Sequence, residues 1–178
     1  MARQVALLRG INLGARNRVP MPELRELLTA LGYEDVVTVV QSGNVVLGTA
    51  ADQAELEREL QGQIAQRFGV DTPVVVRSAR ELANVVADNP FPHAAAVPKR
   101  FQVSFLSTSC PADAARELEA PDLAPEQVAV RGREVYAWHA NGIQRSPLSE
   151  LLTDRKLGVT ATARNWNTVL KLHELAGG

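Results

Sequence analysis

"DVVTVVQSGNVVLGT", residues 35–49, holds two β-branched runs separated only by Ser42 and Gly43. Valine and threonine suit a pleated, half-buried surface, and a serine-glycine pair between two such runs is a hairpin signal. The pattern predicts strands over 35–41 and 44–49. Upstream, "QVALLR" (4–9) is short and apolar and reads as a buried strand. Leu24, Leu27, Leu28 and Leu31 then recur at helical spacing, behind Pro22 in the first turn and before Gly32 as a stop. Downstream, Asp52 and Glu55 form a capping-box pattern. The helix behind it is expected to bury Leu56, Leu60, Ile64 and Phe68 and to stop at Gly69, and "TPVVVRS" (72–78) is the next strand. The order over residues 4–77 is β-α-β-β-α-β, the ferredoxin-like arrangement.

Ser78 and Glu81 repeat the capping pattern, and a helix is expected to run to Asp88 before "NPFPH" (89–93) breaks it. "FQVSFLS" (101–107) alternates like a half-buried strand, and Pro111 opens a helix. "EQVAVRGREVYAWH" (126–139) reads as two strands around a tight turn at Gly132. Ser146 and Pro147 open short helical pieces, and a last helix near 163–175 carries Trp166, Val169, Leu170 and His173 on one face. The second half is thus a related β-α-β-β-α unit. The expected fold class is α+β with two subdomains, residues 1–88 and 99–178, joined by a linker at 89–98.

The chain has 178 residues, 46% hydrophobic and 22% charged, enough for one domain or two small ones. A formal net charge of −1 excludes a generic polyanion binder, which is usually strongly basic. The charge is uneven: residues 1–20 carry four arginines and no acid, while residues 21–71 hold three arginines against nine acids. One cysteine, Cys110, permits no intrachain disulfide and points to a reducing compartment. No stretch approaches the ~18 apolar residues of a membrane span. A soluble cytoplasmic protein is expected.

The segment between the first strand and the first helix, "RGINLGARNRVP" (9–20), is longer than such connections usually are, and long loops without structure of their own tend to be functional. Arg9, Arg16 and Arg18 offer planar donor forks suited to phosphate or carboxylate, and Asn12 offers both donors and an acceptor. The other reading is a solvated loop whose arginines pair with the acids of 21–71. The segment lacks both G-x-x-x-x-G-K-[ST] and G-x-G-x-x-G, so neither ATP nor NAD binding has a signature. In "QSGN", Gly43 serves the turn while Ser42 and Asn44 satisfy backbone groups; Gln41 is left without a structural role. Arg164, Thr168 and Lys171 form a polar stripe, and Arg164, Asn165 and Asn167 cluster where the last helix is expected to begin, a favoured place for an anion. That stripe also fits an ordinary solvated face.

Three motifs occur in order: "LLRGIN" (7–12), "QSGN" (41–44) and "RNWNTV" (164–169). Together they resemble an uncharacterised bacterial domain family, over nearly the whole chain. The resemblance implies a two-subdomain α+β fold and supplies no established reaction, cofactor or partner. That family often has glycine-glycine-lysine where this chain has Gly14, Ala15 and Arg16. Charge is kept, and alanine at 15 avoids positive φ.

No catalytic set is recognised. His139, His93 and His173 lack a serine or acid at a telling spacing, and no metal-ligand spacing exists. Cys110 precedes Pro111 at a helix start, a position that can lower a thiol pKa, but with no partner base it reads as an ordinary cap or surface residue. The strands of the first half carry no aromatic residue, so base-stacking RNA recognition on that sheet is excluded. The residues expected to bind a ligand are Arg9, Asn12, Arg16, Arg18, Gln41, Ser42, Asn44, Arg164, Asn165 and Lys171. The expected ligand is a phosphorylated small molecule, a nucleotide or a nucleic-acid end in a cationic cleft, with no cofactor. The alternatives are an enzyme acting on a small polar or phosphorylated metabolite, and a structural protein, for which a homodimer is possible.

Overall fold

The computed structural model describes residues 1–177. Two compact units result, residues 1–84 with those from 171 onward, and residues 85–170. The first contains β1 (Ala2–Leu8), α1 (Met21–Ala30), β2 (Glu34–Val39), β3 (Asn44–Thr49), α2 (Gln53–Phe68) and β4 (Val74–Ser78), with α3 (Ala79–Ala87) following. Its antiparallel sheet has the order β2-β3-β1-β4. This is the ferredoxin-like topology: each of the two helices returns the chain across a strand, so β1 ends between β3 and β4.

Central position explains the composition of β1. Val5, Ala6, Leu7 and Leu8 are fully buried. Ala6, Leu8, Val45, Leu47, Val74 and Val76 pack with Met21, Leu24 and Leu28 of α1 and Leu56, Leu60 and Ile64 of α2. Both helices therefore cover one face of the sheet. Leu31, last of the expected stripe, is the C-cap residue and is left 39% exposed. The Asp52–Glu55 capping box forms, with Glu55 N–H donating to Asp52 Oδ1 at 2.8 Å, as does that of Ser78 and Glu81.

The second unit contains β5 (Phe101–Leu106), α4 (Ala112–Glu119), β6 (Gln127–Arg131), β7 (Glu134–Trp138), short α5 (Leu148–Leu151) and α6 (Asp154–Leu157), and β8 (Ala161–Asn165); α7 (Trp166–Ala176) follows. Its sheet order, β6-β7-β5-β8, repeats that of the first unit. The core joins Leu106, Val135 and Ala137 of the sheet to Leu118, Leu148 and Leu157. Residues 92–96 and 98–100, within the expected linker and just past it, form 3₁₀ turns.

β8 completes the β-α-β-β-α order with one more strand. "ATARN" alternates, with Thr162 and Arg164 buried and Ala163 and Asn165 exposed, and it pairs antiparallel with β5. The helix begins only at Trp166, so Arg164 is a strand residue and not part of a helix start. The buried stripe of α7 is Trp166, Val169, Leu172 and Ala176, while Leu170 is exposed.

Candidate functional site

The first loop is built, not slack. Asn12 N–H donates to Asn17 O at 2.9 Å, and Leu13 and Arg16 form an antiparallel bridge. Asn12, Asn17, Gly10 and Gly14 all have positive φ, whereas Ala15 does not, which is how the loop tolerates alanine there. Asn12 is the hub. Its Oδ1 accepts Val19 N–H at 2.9 Å, while its Nδ2 donates to Val19 O at 2.9 Å and to Gln41 O at 2.7 Å. The last bond ties the loop to the β2–β3 hairpin.

That capture accounts for a turn longer than expected. The ladder ends at the pair Val39 and Asn44, so Val40 to Gly43 form a four-residue connection in place of two residues. Gln41 O turns to Asn12, and Val40 takes φ +49°. Gly43, at φ +86°, lies where a Cβ would meet Leu8 Cβ and Ile11 Cδ1 at 2.7 Å. Its carbonyl accepts Leu8 N–H at 2.8 Å. Asn44 is fully buried, donating to Val39 O at 2.9 Å and Ser42 Oγ at 3.0 Å. "QSGN" and "LLRGIN" are thus halves of one local structure.

A hollow of about 510 Å³ opens there, lined by Asn12, Gly14, Arg18, Pro20, Pro22 and Gln41. Three expected binding residues, Asn12, Arg18 and Gln41, come together in it. Asn12 has all its side-chain atoms engaged and acts as scaffold. The exposed side chains of Arg16, Arg18 and Gln41 make no hydrogen bond or ion pair among the described residues. The N-terminus of α1 offers little to an anion: Pro20 is its N-cap and Pro22 lies in its first turn, so two N–H donors are missing there. Glu23 pairs with Arg67 at 3.2 Å. Arg9 is half-buried, its backbone held by Pro73 O at 3.1 Å and by the Thr72 hydroxyl.

The C-terminal residues are held by local partners. Buried Arg164 donates to Thr162 Oγ1 at 2.7 Å and Ala163 O at 2.9 Å. Burial lowers its pKa to about 10, leaving it charged at neutral pH. Asn165 Oδ1 accepts Thr168 N–H at 3.1 Å, capping α7, and Lys171 pairs with Glu174 at 2.9 Å.

One polar cluster escaped the sequence reading. In the second unit, buried Glu126, His139 and Ser146 form a chain: Ser146 Oγ donates to Glu126 Oε2 and lies 2.7 Å from His139 Nδ1. The register of β6 and β7 pairs Gln127 with Trp138, and one step further sets Glu126 opposite His139. The proposed turn at Gly132 already contained that pairing. The hydroxyl's one proton goes to Glu126, so His139 Nδ1 must donate to Ser146. A serine nucleophile needs the reverse, a histidine that accepts its proton; with all three side chains buried, the chain ties Glu126, His139 and Ser146 together inside the second unit. Burial lowers the His139 pKa, partly opposed by Glu126. At Cys110 burial, then Glu119, pushes the thiol up, so the helix start does not activate it.

Among the described residues no group of three or more histidine, cysteine or acidic side chains is placed to hold a metal ion, and no helix is long and apolar enough to cross a membrane.

Fold and site together describe a pair of ferredoxin-like α+β units, the first carrying a hollow between its opening loop and its hairpin. The chain belongs to the DUF1697 family, described as protein of unknown function, whose model matches residues 1–136. Among solved structures it is similar to a conserved bacterial protein, SP0830, from Streptococcus pneumoniae: 22% identity, 98% of each chain covered and a TM-score of 0.79. At that identity the likeness shows the fold. No curated protein matches the chain.

Proposed function

We propose that the protein binds the phosphate group of a small molecule in the hollow of its first unit. The observation that carries this reading is the exposed Arg18 guanidinium, lining a hollow of about 510 Å³ with no carboxylate partner among the described residues. A guanidinium fork matches the oxygens of a phosphate. Gln41 adds an amide to the lining, and Arg16 a second cation on the same loop. Hollows of about 300–1,000 Å³ are the usual size for small-molecule sites, and the Asn12 hub ties the loop to the hairpin beside this one.

Calorimetric titration with phosphorylated metabolites tests the reading. Wild type is expected to bind at least one of them, and Arg18→Ala to weaken that binding about tenfold or more, the scale of a charge-assisted pair. Equal binding by wild type and Arg18→Ala, or none by wild type, contradicts it.

A further inference from the structure

Among the described residues Leu13 is the most exposed large hydrophobic side chain, 72% accessible, and Val40 is 56% accessible. Both are chain neighbours of residues that line the hollow. Leu13 lies between the lining residues Asn12 and Gly14, and Val40 directly precedes Gln41. The bond from Asn12 Nδ2 to Gln41 O, 2.7 Å, joins the two segments. Val40 is also strained: its φ of +49° lies in the left-handed region that a β-branched residue rarely adopts. Glycine or asparagine fits that turn position without strain. A valine that is 56% accessible gains little there from packing, so neither turn nor core calls for it. Strain held at an exposed position beside a hollow marks a side chain kept for what it touches.

We infer that the ligand carries a flat apolar ring as well as a phosphate, and is a nucleotide; this rests on the phosphate reading of the same hollow. Arg16 and Arg18 take the phosphate. Leu13 and Val40 pack against the faces of the base, gaining dispersion contact and excluding water. The cations distinguish this surface from a patch for a purely apolar partner, and the size of the hollow fits a mononucleotide better than a polymer.

The full chain is titrated with the four ribonucleoside monophosphates, with ribose 5-phosphate and with inorganic phosphate. Wild type is expected to bind at least one nucleotide about tenfold more tightly than ribose 5-phosphate, the scale of burying two aliphatic side chains in part. Val40→Asn and Leu13→Ser each reduce that preference and leave ribose 5-phosphate binding unchanged. Val40→Asn also raises Tm, because it removes the strain, so weakened binding cannot be ascribed to unfolding. Equal affinity of wild type for nucleotides and ribose 5-phosphate, or a preference unchanged in both variants, overturns the nucleotide inference and leaves the phosphate reading standing. Failure of wild type to bind any of these probes, or binding by Arg18→Ala equal to wild type, removes both.

Discussion

Gly43 shows how much a single position decides. Positive φ and the absence of a side chain are both required there, since an added Cβ would meet Leu8 Cβ and Ile11 Cδ1 at 2.7 Å. Leu8 is fully buried on the central strand and has no room to yield. Gly43→Ala is therefore expected to cost about 3 kcal/mol, from strain and overpacking together, read as a lower urea midpoint. Its need was visible in the sequence as a turn glycine, but the close approach was not, because it depends on how far the hairpin leans toward Ile11. His139 carries a different signal. Its folded pKa lies below the ordinary histidine value, about 6.5, because burial disfavours the charged form. The unfolded chain then binds more protons as pH drops below that value, so stability falls there and is level above it. Thermal unfolding across pH 5–8 should show Tm declining below about pH 6.5, with His139→Gln flattening that decline. A decline of the same size in the variant would assign it elsewhere.

At the scale of elements, the opening loop and the β2–β3 hairpin behave as one piece, with Asn12 as the joint. Asn12→Ala removes the bonds to Val19 N, Val19 O and Gln41 O and places alanine at φ +55°. The expected result is a loss of about 2 kcal/mol, with faster hydrogen exchange at Val19 and weaker phosphate binding, although Asn12 is not assigned to touch the ligand. Unchanged exchange at Val19 would show that the loop keeps its shape without this hub. Local patterns made the helices and most strands legible, because capping boxes and apolar periodicity act within a few residues. β8 was not, since Thr162, Arg164 and Asn165 resemble a helix entry and the strand exists only through pairing with β5 some sixty residues earlier. The same limit hid the Glu126–His139–Ser146 chain, which a cross-strand register assembles.

Over the whole molecule, one topology occurs twice, and the polar motifs divide by what holds them. Arg164 and Thr162 belong inside the second unit, where Arg164→Ala leaves Thr162 without its guanidinium partner. A loss of about 2–4 kcal/mol is expected, measured by chemical denaturation; a change under about 0.5 kcal/mol, the size of an ordinary surface substitution, would mean the buried charge is not structural. The N-terminal arginines were legible as a charged cluster in an overlong loop. Which of them stay exposed and unpaired was not, because that depends on the fold of residues 9–20 around Asn12. The most direct test of the central claim is a backbone amide NMR titration of the full chain with a phosphorylated ligand. Perturbations that saturate and centre on Asn12, Gly14, Arg18 and Gln41 are predicted. Saturating perturbations confined to other residues, or none in that group at millimolar ligand, would contradict it.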